Sequence, residues 1–137
     1  MGSQIQRVEY FHASVRDEPG EAYRFLSQLA GSGVNLLAFN AIPAGVEQTQ
    51  LVLFPEKVDR LVRAAAETGL VLSGPQRAFL IQGDDELGAL LEIHRRLFDA
   101  HVNVYASSGV ADGRGGYGYV VYVSDKDYES AARALGV

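Results

Sequence analysis

The sequence predicts an α+β chain made of two tandem βαββαβ units, each an antiparallel sheet with its helices on one face. Three observations carry that prediction. Stretches of alternating, β-forming residues take turns with stretches whose apolar residues recur at helical spacing. Glycine and proline mark the joins. The order of elements then restarts near residue 75, and the second half aligns on the first in one constant register.

Arg7 to Val15 alternates and is rich in β-formers, so it reads as a strand. Asp17-Glu18-Pro19-Gly20 breaks the pattern, with proline and acidic residues suited to a helix start. Ala22, Phe25, Leu26 and Leu29 form one face of a helix from Gly20 to Ala30, which Gly31-Ser32-Gly33 ends. Val34 to Ile42 is a second strand, Pro43-Ala44-Gly45 a turn and Glu47 to Phe54 a third strand. A second helix is expected from Pro55 to Thr68, capped by Gly69. Leu70-Val71-Leu72 reads as a short fourth strand and Ser73-Gly74-Pro75 as a turn.

The second half repeats the order: strand Arg77–Gln82, helix Asp84–Ala100, strand Val102–Val110, glycine-rich hairpin Asp112–Gly116, strand Tyr117–Val123 and helix Asp125–Leu135. Little chain follows, so the last strand of the second unit is expected to be short or absent. That would leave a sheet edge open, and open edges tend to be paired or covered, which predicts a homodimer. The domain division expected is 5–74 and 75–137. Asp17-Glu18-x-Gly20 matches Asp85-Glu86-x-Gly88, Phe11 matches Phe79, Leu29 matches Leu97, and Val34-Asn35 matches Val102-Asn103. In both halves fifteen residues separate the loop glycine from the asparagine.

Composition narrows the function. The 137 residues are 47% hydrophobic and 21% charged, ordinary for a globular protein. There are no cysteines, which excludes disulfides, thiolate metal sites and cysteine catalysis. A net charge of −5 disfavours nucleic acid. No apolar run approaches the roughly 20 residues that span a bilayer. The N-terminus lacks a basic region followed by an apolar stretch, so no signal peptide is expected and a cytoplasmic location is the default. Gly2 invites an acylation check, but Gln6 stands where serine or threonine is wanted.

A strand, Asp-Glu-Pro-Gly at 17–20, an amphipathic helix and Gly-Val-Asn-Leu at 33–36 opening a strand together resemble the ACT domain signature. The second half resembles it more weakly, with Leu87 for the loop proline and His101-Val102-Asn103-Val104 for the strand opening. The resemblance spans about residues 7–137 and is that of small stand-alone tandem ACT proteins with a ferredoxin-like fold. It implies a non-catalytic regulatory protein. Such a protein would bind an amino acid or related metabolite where two ACT units meet, and would act on a separate metabolic enzyme or regulator. No cofactor is implied.

The candidate ligand-binding residues are Asp17, Pro19, Gly20 and Asn35 in the first repeat and Asp85, Gly88 and Asn103 in the second. A helix N-terminus offers free N–H groups to a carboxylate. Gly20 and Gly88 let a ligand approach the backbone. Each asparagine holds a donor and an acceptor, and each aspartate suits an ammonium. Structural alternatives stand beside these roles: Asp17 or Glu18 as a helix cap, the glycines as tight-turn residues, the asparagines as loop ties. The functional alternatives are a ligand-free dimerisation module and a small ferredoxin-like enzyme using His12 or His94. His94 stands where the first repeat has Leu26, as expected of a core-edge histidine with an exposed tip. The histidines show no metal-ligand spacing, and the glycine-rich stretch 112–118 lies between strands rather than before a helix.

Overall fold

A computed structural model describes residues 3–137; Gly2, and with it the acylation question, lies outside them. The strands are β1 (Gln4–Arg16), β2 (Leu36–Pro43), β3 (Gln48–Pro55), β4 (Ser73–Asp84), β5 (Val104–Ala111) and β6 (Gly116–Val123). The helices are α1 (Glu21–Gly31), α2 (Val58–Thr68), α3 (Ala89–Asp99) and α4 (Tyr128–Leu135), the last preceded by a 3₁₀ turn at Asp125–Asp127. The chain folds into two compact units. The first is Glu9–Gln76; the second joins Arg77–Val137 to the chain up to Val8.

In the first unit the strand order is β2-β3-β1-β4, with β4 represented by Ser73–Gln76. β3 runs antiparallel to both β1 and β2, setting Leu53 opposite Phe11 on one side and Phe39 on the other. Strand alternation puts Phe11, Ala13, Leu51 and Leu53 on one face. That face meets Phe25 and Leu29, one turn apart on α1, and Leu61 and Ala64 on α2. Each large side chain so buried contributes about 1.5–3 kcal/mol.

The second unit repeats the plan in the order β1-β4-β6-β5, with β1 represented by its first residues. Phe79, Ile81, Tyr119 and Val121 meet Ile93 and Leu97 of α3 and Tyr128, Ala131 and Leu135 of α4. The Phe79 and Tyr128 rings stack at 4.6 Å. The register that carries Gly20 onto Gly88 also carries α1 onto α3, β2 onto β5 and β3 onto β6, residue for residue at both ends. The bulge between Leu36 and Ala38 recurs between Val104 and Ala106. In both units the opposite strand face is buried too, at Tyr10, Val52 and Phe54 and at Leu80, Val120 and Tyr122.

Two expectations are corrected. No strand follows α4, but the edge of β4 is not open, because residues 4–8 of β1 occupy the last-strand position of the second unit. Ile5 packs on that unit's core. Arg7 donates to the Glu129 carboxylate at 3.2 Å and to the Val137 carbonyl at 3.1 Å. Arg77 lies 4.0 Å over the Tyr128 ring. The compact units therefore differ from a division at 5–74 and 75–137. The physical reason is that β1, at 13 residues, is longer than the first unit needs and continues pairing.

The second correction concerns 70–75. Leu70-Val71-Leu72 forms no strand, and Ser73-Gly74-Pro75 is no turn but the start of an unbroken β4. Leu70 and Leu72 are held by the core of the first unit instead. A Cβ on Gly74 would stand 3.0 Å from the Tyr10 carbonyl, so a close strand approach, not a reversal, explains this glycine. Pro55 likewise ends β3 rather than opening α2. No helix among the described residues is long and apolar enough to cross a membrane.

Candidate functional site

Each unit presents the same turn between its first strand and first helix. Asp17 N–H donates to Glu47 O at 2.9 Å, and Asp85 N–H to Gly115 O at 2.8 Å. These bonds tie the turn to the tip of the neighbouring hairpin. The chain then reverses at Gly20 (φ 87) and Gly88 (φ 78), each in the left-handed region and each the N-cap of its helix. Neither helix start carries a side-chain cap, so Asp17 and Glu18 do not cap α1. A Cβ on either glycine would meet nothing within 4 Å, so backbone conformation and not crowding requires glycine there. Asp17, Pro19, Gly20, Asp85 and Gly88 are all exposed.

Asn35 and Asn103 are exposed as well, just before β2 and β5. Asn35 gives its carbonyl to the Glu56 N–H at 2.8 Å. Each asparagine lies beyond the far end of an 11-residue helix from its glycine, a rise of about 16 Å. Within one unit, then, loop glycine and asparagine do not meet.

The second unit holds a cavity of about 470 Å³ at the start of α3. Asp85, Glu86, Gly88, Leu90, Leu91 and Tyr119 are among its lining, together with the ends of β5 and β6. Asp85 and Gly88 thus share one hollow, whereas Asn103 is not part of it. In the first unit a cavity of about 450 Å³ lies elsewhere, along His12–Val15, Phe25 and Gly69–Val71, and includes no predicted site residue.

Sequence reasoning missed what shapes the second-unit cavity. Gly109 faces Tyr119 across β5 and β6, where the first repeat pairs Ala41 with Leu51. A Cβ on Gly109 would come within 2.8 Å of the Tyr119 ring, so the missing side chain makes room for the phenol. Tyr119 is 5% exposed. Its hydroxyl lies 2.6 Å from Nε2 of His94, which occupies the Leu26 position of the first repeat. The signal was available: the apolar Leu26 and Leu51 of one repeat are both replaced by polar residues, His94 and Tyr119, in the other. Next to it, the Tyr117 phenol is pushed up in pKa by burial and then by the Asp84 and Glu86 carboxylates. No group of three or more His, Asp or Glu side chains suited to a metal ion occurs among the described residues.

No protein-family model matches the sequence, and no curated protein matches it. Solved structures do. Protein BT0572 from Bacteroides thetaiotaomicron is similar at a TM-score of 0.79 and 15% identity, over 96% of this chain and 88% of that one. The ligand-free regulatory subunit of aspartate kinase from Thermus thermophilus is similar at 0.65 and 16% identity, over 99% and 96%. The Thermus flavus regulatory subunit is similar at 0.59 and 16% identity, over 99% and 95%. The repeat, the strand order and these likenesses agree: this chain carries the ACT-domain fold twice, in tandem.

Proposed function

We propose that this protein is a non-catalytic regulator that binds a small amino acid or related metabolite and conveys its level to a separate enzyme or regulator. The observation that carries this reading is the duplicated turn, with left-handed Gly20 and Gly88 opening α1 and α3 beneath free space. A helix N-terminus suits a carboxylate, and Asp17 and Asp85 suit the ammonium group. The likeness to regulatory subunits of aspartate kinase supports the regulatory part. Asn35 and Asn103 lie too far from the glycine of their own unit, so in this reading they serve a turn on a second copy, in a homodimer. Pro19 stiffens the first turn; Leu87, 107% exposed, replaces it in the second.

A thermal-shift screen against the twenty amino acids tests the proposal. A ligand at 100 times its dissociation constant stabilises by about 2.7 kcal/mol. The expected outcome is one or a few hits, lost in Asn35→Ala or Asn103→Ala. The absence of any hit would overturn it in favour of a ligand-free dimerisation module. That reading is favoured by the exposed Leu91, Phe98 and Tyr105 on α3 and β5.

A further inference from the structure

We propose that the cavity at the start of α3 is a site for a small organic cation, a primary ammonium group on a branched apolar body, and that the first repeat does not share it. This deepens the sensor reading and rests on it. The lining includes two carboxylates, Asp85 and Glu86, and no lysine, arginine or histidine. Among the described residues, neither carboxylate is engaged in an ion pair with a basic side chain. A carboxylate with no ammonium beside it meets like charge there; an ammonium meets opposite charge at the mouth. Two aromatic rings, Tyr117 and Tyr119, stand in the wall, and ring faces attract cations. Leu90 and Leu91 supply apolar surface for the body of the ligand.

The site belongs to the second repeat for a reason visible residue by residue. Ala89 lines the hollow where the first repeat carries Glu21, whose carboxylate pairs with Arg24. Gly109 replaces Ala41, and Tyr119 replaces Leu51. The His94 contact holds the Tyr119 phenol by its hydroxyl, so the ring is fixed before any ligand arrives, which lowers the ordering cost of binding. Tyr119 is thereby a specificity residue and His94 its positioning residue.

Titration calorimetry on the full chain with three probes of one branched body tests this. The probes are isoamylamine, carrying an ammonium alone; isovalerate, carrying a carboxylate alone; and leucine, carrying both. Isoamylamine and leucine are expected to bind and isovalerate not. Asp85→Asn with Glu86→Gln is expected to weaken isoamylamine roughly tenfold or more. Ala111→Leu, which fills the hollow from an exposed position, is expected to abolish binding while circular dichroism stays unchanged. His94→Leu is expected to weaken the amine without changing the preference for amine over acid. Isovalerate binding as well as isoamylamine, or amine binding indifferent to Ala111→Leu, would overturn the proposal, as would no amine binding at millimolar concentration. The two failures are distinguishable. Amino-acid hits that depend on Asn35 or Asn103, with no response to isoamylamine, sink only this one. No amino-acid hit at all, leucine included, sinks both.

Discussion

His101 holds φ 60, the left-handed conformation that Gly33 (φ 75) holds at the same place in the first repeat. An L-residue there costs about 1–2 kcal/mol, offset in part by the flexibility glycine adds to the unfolded chain. His101→Gly is therefore expected to stabilise the protein by up to about 1 kcal/mol, read from the urea midpoint at constant slope. Glu92 on α3 makes a second residue-scale case. The Arg95 side chain bonded to its carboxylate, and then Arg96, lower its pKa from the ordinary 4.5 to about 2. A group whose folded pKa is depressed stabilises above its unfolded pKa, and the contribution fades as pH falls through the folded one. The advantage of the wild type over Glu92→Gln is expected to be full above pH 4.5 and gone near pH 2. Urea titrations across that window check it; an advantage that grows with acid would contradict the assignment. The ion pair is solvent-exposed, so the effect is expected to be small and reduced by salt.

At the scale of elements, most of the architecture was legible because its signals are local. Alternation in β1, the Phe25–Leu29 stripe in α1 and the restart at Arg77 each lie within a short window. What was not legible is long-range. Any local rule reads Ser73-Gly74-Pro75 as a turn; only the presence of Tyr10 against Gly74 makes it a strand. Nothing in residues 4–8 announces a partner near residue 80, since the contact from Arg7 to Glu129 joins residues 122 positions apart. The candidate site divides the same way. The turns at Gly20 and Gly88 follow from a short motif, whereas the His94–Tyr119 bond links α3 to β6 and shapes a cavity no single motif encodes. An element-scale test follows. Deleting residues up to Val8 is expected to speed amide exchange in β4 from Phe79 to Asp84 and in α4, leaving α1 and α2 of the first unit protected. Uniform loss of protection, or none, would speak against the assigned role of that strand.

For the whole molecule, the filled position beside β4 removes one argument for a second copy and leaves another. The open-edge argument fails, since residues 4–8 pair there. β2 and β5 remain as outer strands, each paired on one side by β3 and β6. β5 is exposed almost throughout and carries Tyr105 and Val110 into solvent, the kind of strand that pairs or is covered. A dimer is expected by light scattering after size exclusion, and Val110→Lys is expected to shift it toward monomer. A clean monomer at micromolar concentration in the wild type would remove the second argument as well.

The borrowed strand also sets an order of events during synthesis. Chains emerge N-terminus first, and a contiguous unit folds as soon as it is clear of the ribosome. Glu9–Gln76 satisfies that condition, whereas the unit completed by residues 4–8 does not. Its opening residues are made before the first unit and their partner stretch of β4 after it, so those residues wait, hydrogen-bonding groups bare, until β4 emerges. Such a delay is when a nascent strand is most open to capture by a chaperone or by a sister chain on the same message.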